Sequence, residues 1–295
     1  MKKHLPIIAV VLIFVIGIGI LAYPLVSSVI NNMDARNDEG QYYHAAQKRA
    51  NSENIKMIRE AKDYNRRLVD TVVITDPFDV ESYNKSNKEY KKLLSPDAKG
   101  TIGYVKIPKI DVSLPIYHGT SQKILAQGAG HLENTSLPVG GKGTHSVISA
   151  HSAFPDHTFF DYLTEIKEGD EFYIKVLDRT LKYKVDQIKV VLPEDTSDLH
   201  IDRDKDYVTL LTCTPYSVNT HRLLVRGERV PYDEKEQIDV TTITAGDDAI
   251  FFLGYKIPYV VAGIVIVSFV LIVVMIVILA VRGKKKRVDK NEPLS

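Results

Sequence analysis

Two apolar runs at opposite ends of this 295-residue chain decide what the rest of it can become. Residues 5–25 are almost free of polar side chains, and residues 257–281 carry no charge. A helix needs about 20 apolar residues to cross the hydrocarbon of a bilayer, so both runs are long enough. Basic residues beside a span stay on the cytoplasmic side. Lys2 and Lys3 precede the first run, and Arg282, Lys284, Lys285, Lys286 and Arg287 follow the second. The expectation is a transmembrane helix at each end, both termini cytoplasmic, and the intervening domain extracellular. A cleaved signal peptide is the competing reading of the first run, but Ala22-Tyr23-Pro24 is a poor small-residue cleavage site.

Between the runs the texture changes once. Tyr43, Ala46, Ala50, Met57, Ala61, Tyr64 and Leu68 recur at three- and four-residue spacings among Lys, Arg and Glu, which predicts an amphipathic helix or a pair of them. Thr75-Asp76-Pro77-Phe78 breaks that pattern, because proline disfavours a helical residue before it. Residues 79–94 read as a loop and a short helix anchored by Tyr83, Tyr90, Leu93 and Leu94. From Gly100 the chain becomes short apolar runs punctuated by Gly and Pro. The runs at 101–107, 112–117, 146–150, 171–176, 182–191, 208–213 and 222–230 are strand-like, and strands at this spacing indicate a mainly β sandwich or barrel. Residues 124–127 and 159–163 look like short helical turns between them. The predicted division is an anchor over 1–30, a helical region over 31–98, a β-domain over 99–233, a linker over 234–256, the second span over 257–281 and a basic tail over 282–295.

The net charge of +1 gives no reason to propose nucleic acid as a partner. One cysteine, Cys213, cannot form an internal disulfide. In an extracellular domain such a thiol is buried and inert, bridges to another chain, or is reactive. Its surroundings favour the last. Cys213 ends one strand and Arg222 begins the next, with Thr214, Pro215, Ser217 and Asn219 as turn residues. In a hairpin the sulfur and the guanidinium would face each other, and a nearby cation favours the nucleophilic thiolate. A cysteine nucleophile needs a proton carrier, most often histidine. His151 is the best placed, at the end of the buried-type strand Ser146-Val147-Ile148-Ser149-Ala150. His221 adjoins Arg222 and would point to the opposite face of the same strand. His145, His151 and His157 match no zinc ligand spacing, and no dense acidic cluster argues for a metal or other cofactor.

The run Thr209-Leu210-Leu211-Thr212-Cys213-Thr214-Pro215-Tyr216, with Asn219, His221, Arg222, Leu223, Leu224, Val225, Arg226 and Gly227, resembles the active-site signature of sortases. These are membrane-anchored cysteine transpeptidases of Gram-positive bacteria. Ser149-Ala150-His151 with Phe154, Pro155, Phe159 and Phe160 resembles the histidine segment of class C, the pilin-polymerising sortases, and a C-terminal span is similar to that class. The resemblance implies a closed β-barrel of about eight strands with short helices and a helical, lid-bearing N-terminal region. It implies Cys213 as nucleophile, His151 as general acid and Arg222 as the oxyanion-stabilising cation. Asp76, Pro77 and Phe78 look like the class C lid, with Asp76 on Arg222 and Phe78 over Cys213.

The activity implied is cleavage of a Leu-Pro-x-Thr-Gly sorting motif between Thr and Gly. A thioester on Cys213 would pass to a lysine amine of another pilin subunit, so that the partners are pilins or surface proteins and the membrane. A housekeeping sortase that attaches proteins to peptidoglycan is the alternative. A papain-like hydrolase has cysteine before histidine, whereas His151 precedes Cys213 here.

Overall fold

Gly103 marks how closely the strands of this protein approach. A Cβ on it would stand 2.6 Å from the carbonyl oxygen of Lys175, so only glycine lets β1 and β5 close on each other. In the computed structural model, described for residues 39–42, 44–68, 76, 78, 88–96, 100–154, 158–233, 249–252 and 255–258 and a few positions in 13–23, that contact completes a barrel. Its strands are β1 (Thr101–Ile107), β2 (Val112–His118), β3 (Ala129–His131), β4 (Thr144–Ser149), β5 (Glu171–Val176), β6 (Arg179–Val191), β7 (Asp206–Thr214) and β8 (His221–Val230). The order around the barrel is β1-β2-β3-β4-β7-β8-β6-β5, closed by Tyr104↔Lys175, Val105↔Ile174 and Lys106↔Tyr173. Closure leaves none of these eight strands at an open sheet edge.

β1 and β5 coincide with the predicted runs, β2, β6, β7 and β8 extend theirs by one to three residues, and β4 starts two residues before the predicted 146–150 and ends one short of it. β3 was not anticipated. Its three residues are too short for any alternation to register, yet β3 joins β2 in parallel and β4 antiparallel. Between strands, a helical turn spans Gln122–Leu125, and a 3-10 turn lies at Leu163–Glu165, just beyond the predicted 159–163.

The helix α1 (Asn51–Leu68) buries Asn54, Ile58, Ala61, Tyr64 and Asn65, a stripe at helical spacing. Glu53 in its first turn and Arg66 and Arg67 in its last complement the helix dipole. Asn65 fastens this helix to the barrel: Nδ2 donates to the Leu137 carbonyl at 3.0 Å, and the Leu137 N–H donates to Oδ1 at 2.7 Å. Helical residues 39–42 and 44–48 precede α1. There Glu39 accepts from Lys106 on β1 at 2.5 Å and from Ser113 on β2 at 2.8 Å, with Lys175 of β5 at 3.8 Å. A buried charge is tolerated only when so partnered. Of the expected anchors of residues 79–94, Tyr90, Leu93 and Leu94 are buried around a 3-10 turn at Tyr90–Lys92.

Side-chain alternation divides the sheet into two faces. Val208, Leu210, Leu223 and Val225 point into the main core, with Ile102, Ile148, Phe172 and Tyr183. Leu211 and Leu224 belong instead to a second cluster with Leu132, Val147 and Leu199. This cluster forms an apolar floor on the other face of β4, β7 and β8.

The chain divides into two units, Ser28–Val240 and the two end segments Met1–Ser27 and Thr241–Ser295. Within the latter, β9 (Ala249–Phe252) and β10 (Tyr255–Pro258) pair antiparallel, in a stretch expected to be a linker running into the second span. No helix among the described residues is long and apolar enough to cross a membrane. Most of 5–25 and nearly all of 257–281 lie outside the described residues.

Candidate active site

β7 and β8 form the hairpin whose register sets the site. Cys213 and Arg222 are directly opposed partners, flanked by Thr212↔Leu223 and Thr214↔His221. Directly opposed residues in an antiparallel pair put their side chains on one face about 5 Å apart. Cys213 is the sole thiol, free and 8% exposed. Burial pushes its pKa up; Arg222 pulls it down and Asp76 pushes it up further.

His151 reaches the same place from β4. That strand runs parallel to β7, and their pairing ends at Ser149↔Leu211. Beyond it the two chains remain bolted together. The Ala150 N–H donates to the Leu211 carbonyl at 3.2 Å, Thr212 Oγ1 donates to the Ala150 carbonyl at 2.8 Å, and Ser152 Oγ donates to the Cys213 carbonyl at 2.8 Å. His151 is therefore held by its two neighbours at the level of Cys213. Its ring stacks on Phe154, with centroids 5.4 Å apart at 19°, and meets Phe78 at 5.5 Å. Burial by these phenyl rings lowers its pKa and favours the neutral imidazole.

Arg222 has four of its five donors engaged. Nε and Nη2 donate to Asp76 Oδ1 and Oδ2 at 2.9 and 2.6 Å, while Nη1 donates to the carbonyls of Asn219 and His221, each at 3.1 Å. Asp76 Oδ1 also accepts from the Phe78 N–H at 3.4 Å. The Phe78 ring lies 5.1 Å from the Arg222 guanidinium carbon and packs on the Leu132, Val147, Leu199, Leu211 and Leu224 floor together with Val191. Pro77 lies outside the described residues. The structure thus brings Cys213, His151, Arg222, Asp76 and Phe78 together. His221, one position from Arg222, has its Nδ1 within 2.9 Å of Thr220 Oγ1.

Asp161 is a site residue that the sequence reading missed. Its carboxylate accepts from the Ala153 and Phe159 N–H groups at 2.8 and 2.9 Å and from the Tyr216 side chain. It thereby ties the loop after His151 to the loop after Cys213. Only the aspartate two residues after Phe159 hinted at this, and an isolated Asp beside aromatic residues is an ordinary loop residue.

A nucleophile, a proton carrier and a fixed cation on one apolar floor can perform acyl transfer through a covalent intermediate. The sequence profile of the sortase domain matches residues 105–230. The chain is similar to the crystal structure of Streptococcus pneumoniae sortase C, with 44% identity and a TM-score of 0.62 over 66% of this chain and 97% of that one. It is similar to Streptococcus agalactiae sortase C1, with 41% identity and a TM-score of 0.60 over 65% and 96% of the two chains. Bacillus anthracis sortase A is 26% identical over 78% of this chain and 96% of its own length.

Proposed function

This chain belongs to the sortase family, and from that premise we propose that it is a membrane-held transpeptidase that polymerises pilin subunits through a thioester on Cys213. The observation that carries the reading is the opposed Cys213–Arg222 pair with His151 bolted beside it. Cys213 is the nucleophile. Its thiolate attacks the carbonyl of the threonine in a Leu-Pro-x-Thr-Gly motif, and Arg222 donates to the oxyanion that develops. His151 gives its proton to the departing glycine amine, leaving threonine acylated on sulfur. The lysine amine of a second subunit then attacks the thioester, His151 accepts its proton, and an isopeptide bond forms as the thiolate leaves.

Asp76, Pro77 and Phe78 act as a lid. In the closed arrangement four of the five Arg222 N–H donors are engaged, two of them by Asp76, and both pKa shifts oppose the reactive ionisation. A raised thiol pKa disfavours thiolate and a lowered imidazole pKa disfavours imidazolium. Opening the lid frees two Arg222 donors, removes the Asp76 charge from Cys213 and uncovers the floor for substrate. Covering the site between turnovers also excludes water, the competing nucleophile.

Pilin substrates are favoured over peptidoglycan because the S. pneumoniae neighbour is described for its pilin substrate specificity and an S. agalactiae neighbour, 40% identical, for its pilus island. The runs 5–25 and 257–281 anchor the chain with both ends inside, so the domain over 99–233 and the helical region over 31–98 work outside the cell. Residues 234–256 and 282–295 are the connection to the second span and the basic cytoplasmic tail. Supplying the detergent-solubilised chain and sorting-motif peptide with either a pilin domain or a peptidoglycan stem peptide tests the acceptor. An isopeptide product with the pilin lysine alone fits the proposal, and a product with the stem peptide alone selects the housekeeping reading.

A further inference from the structure

The connection from β6 to β7, residues 192–205, is fastened at its β7 end by Lys205, whose carbonyl accepts from the Thr144 N–H and whose Nζ pairs with Glu228, and around Leu199 it has two further tethers outside the reacting trio. One is His145 on β4. Its Nδ1 lies 2.8 Å from the His200 carbonyl and its Nε2 2.7 Å from Thr209 Oγ1. A carbonyl can only accept, so Nδ1 carries the proton and donates to it. Nε2 accordingly accepts from the Thr209 hydroxyl. Burial keeps the pKa near 4, so the ring stays neutral through the physiological range, with Arg226 lowering it and Asp186 raising it. The Tyr207 ring meets it edge-on, with centroids 5.6 Å apart at 61°. The second point is Asp198, whose Oδ1 accepts from Lys189 Nζ at 2.6 Å and Gln187 Nε2 at 3.1 Å, both on β6.

Leu199 stands between these two tethers. It is 2% exposed and belongs to the apolar floor on which Phe78 packs. Nothing else in the 3-10 turn Ser197–Leu199 is buried. The position of Leu199 therefore depends on the hydrogen bond to the next residue, His200, and on the ion pair of the preceding one, Asp198. We propose that His145 is a positioning residue: by holding the His200 carbonyl it sets the place of Leu199 in that apolar floor, and with it how firmly both the lid and a sorting motif seat there.

The substrate half of this proposal rests on the reading of Cys213 as the transpeptidase nucleophile; the loop half does not. His145→Asn keeps a donor where Nδ1 stands, and His145→Gln keeps only a group where Nε2 stands. In the full chain, His145→Gln is expected to raise KM for a sorting-motif peptide about three- to tenfold with kcat nearly unchanged, while His145→Asn stays near the parent. Amide exchange in residues 192–205 should quicken in His145→Gln alone, and labelling of Cys213 by iodoacetamide should quicken with it. Asp198→Ala removes the other tether from the surface and should raise KM in the same sense, which keeps the test open if a His145 variant fails to fold. Equal KM, exchange and labelling in His145→Asn and His145→Gln would overturn the proposal, as would an unchanged KM in Asp198→Ala. A parent chain that forms no acyl adduct while the exchange difference persists would refute the reading of Cys213 and leave the anchoring of the loop standing.

Discussion

Asp76 and Arg222, 146 positions apart in the chain, meet as a bidentate pair over Cys213's strand partner position, with both carboxylate oxygens on the guanidinium. Their side chains are only 14% and 10% exposed, so water screens the pair weakly. The value for an exposed ion pair, at most about 1 kcal/mol, therefore understates it. Hydrogen bonds between charged groups of this kind contribute about 1.5–3 kcal/mol. The pair stabilises the closed site and withholds the donors that catalysis needs.

Removing the carboxylate should open the site. Asp76→Ala is expected to raise the rate of Cys213 alkylation by iodoacetamide at least about tenfold, the equivalent of 1.4 kcal/mol in the opening equilibrium. The midpoint of its pH dependence should fall, because Asp76 pushes the thiol pKa up. Identical rates and midpoints in the variant and the parent would contradict the lid.

Phe78→Ala removes the other half of the cover, the ring between His151 and Arg222. It should also speed alkylation. If the tripeptide opens as one body, the double variant will label little faster than the faster single variant. Fully multiplicative rates would mean that the two residues act separately.

Arg222→Lys separates the two roles of the guanidinium. Lysine cannot present a planar fork to Asp76 or to an oxyanion. Alkylation should accelerate as the lid loosens, while kcat/KM for transfer drops about 10²- to 10³-fold, the usual cost of losing an oxyanion donor. Retention of transfer at the parent rate would remove Arg222 from the oxyanion role.

Three histidines away from the reacting groups give the fold an acid limit. Burial lowers His118 and His145 to about 4 and His131 to about 3. Tyr90 Oη sits 2.8 Å from His131 Nδ1, and the Ser136 carbonyl sits 2.8 Å from Nε2, so the folded state holds that ring neutral. A folded pKa below the unfolded one means that the unfolded chain binds more protons in between. Stability is then whole above about pH 6.5 and is lost as pH falls toward 4, at about 1.4 kcal/mol per pH unit for each histidine fully in that window. Urea midpoints at pH 7, 6, 5 and 4 check this, and a flat profile from 7 to 5 would contradict it. His131→Gln should flatten the slope.

What the sequence made legible follows the range of the forces involved. β1, β5 and the β7–β8 hairpin are local patterns, and their residues carry the alternation and turn chemistry within a few positions. The opposition of Cys213 and Arg222 was legible for the same reason, since one hairpin register fixes it. β3 was not, because Ala129-Gly130-His131 is defined only by its partners Ile116, Tyr117, His118, Ser149 and Ile148. Gly130 is required there by distance, as a Cβ would lie 2.3 Å from the carbonyl oxygen of Gly119, just past the end of β2. The Glu39–Lys106 pair, the Asn65 clamp and the Asp161 tie likewise join segments whose adjacency exists only once the barrel closes. The role of His145 is not legible in the sequence either, because its partners, the His200 carbonyl and Thr209, lie 55 and 64 positions away.

The most direct measurement is the mass of the chain after incubation with a sorting-motif peptide, with Phe78→Ala introduced so that the lid does not suppress the signal. The account predicts an adduct of the peptide up to its threonine, located on Cys213, labile to hydroxylamine and consumed when a pilin lysine is supplied. It also predicts that Cys213→Ala abolishes both the adduct and the transfer. Transfer that persists in Cys213→Ala, or an adduct on any other residue, would contradict it.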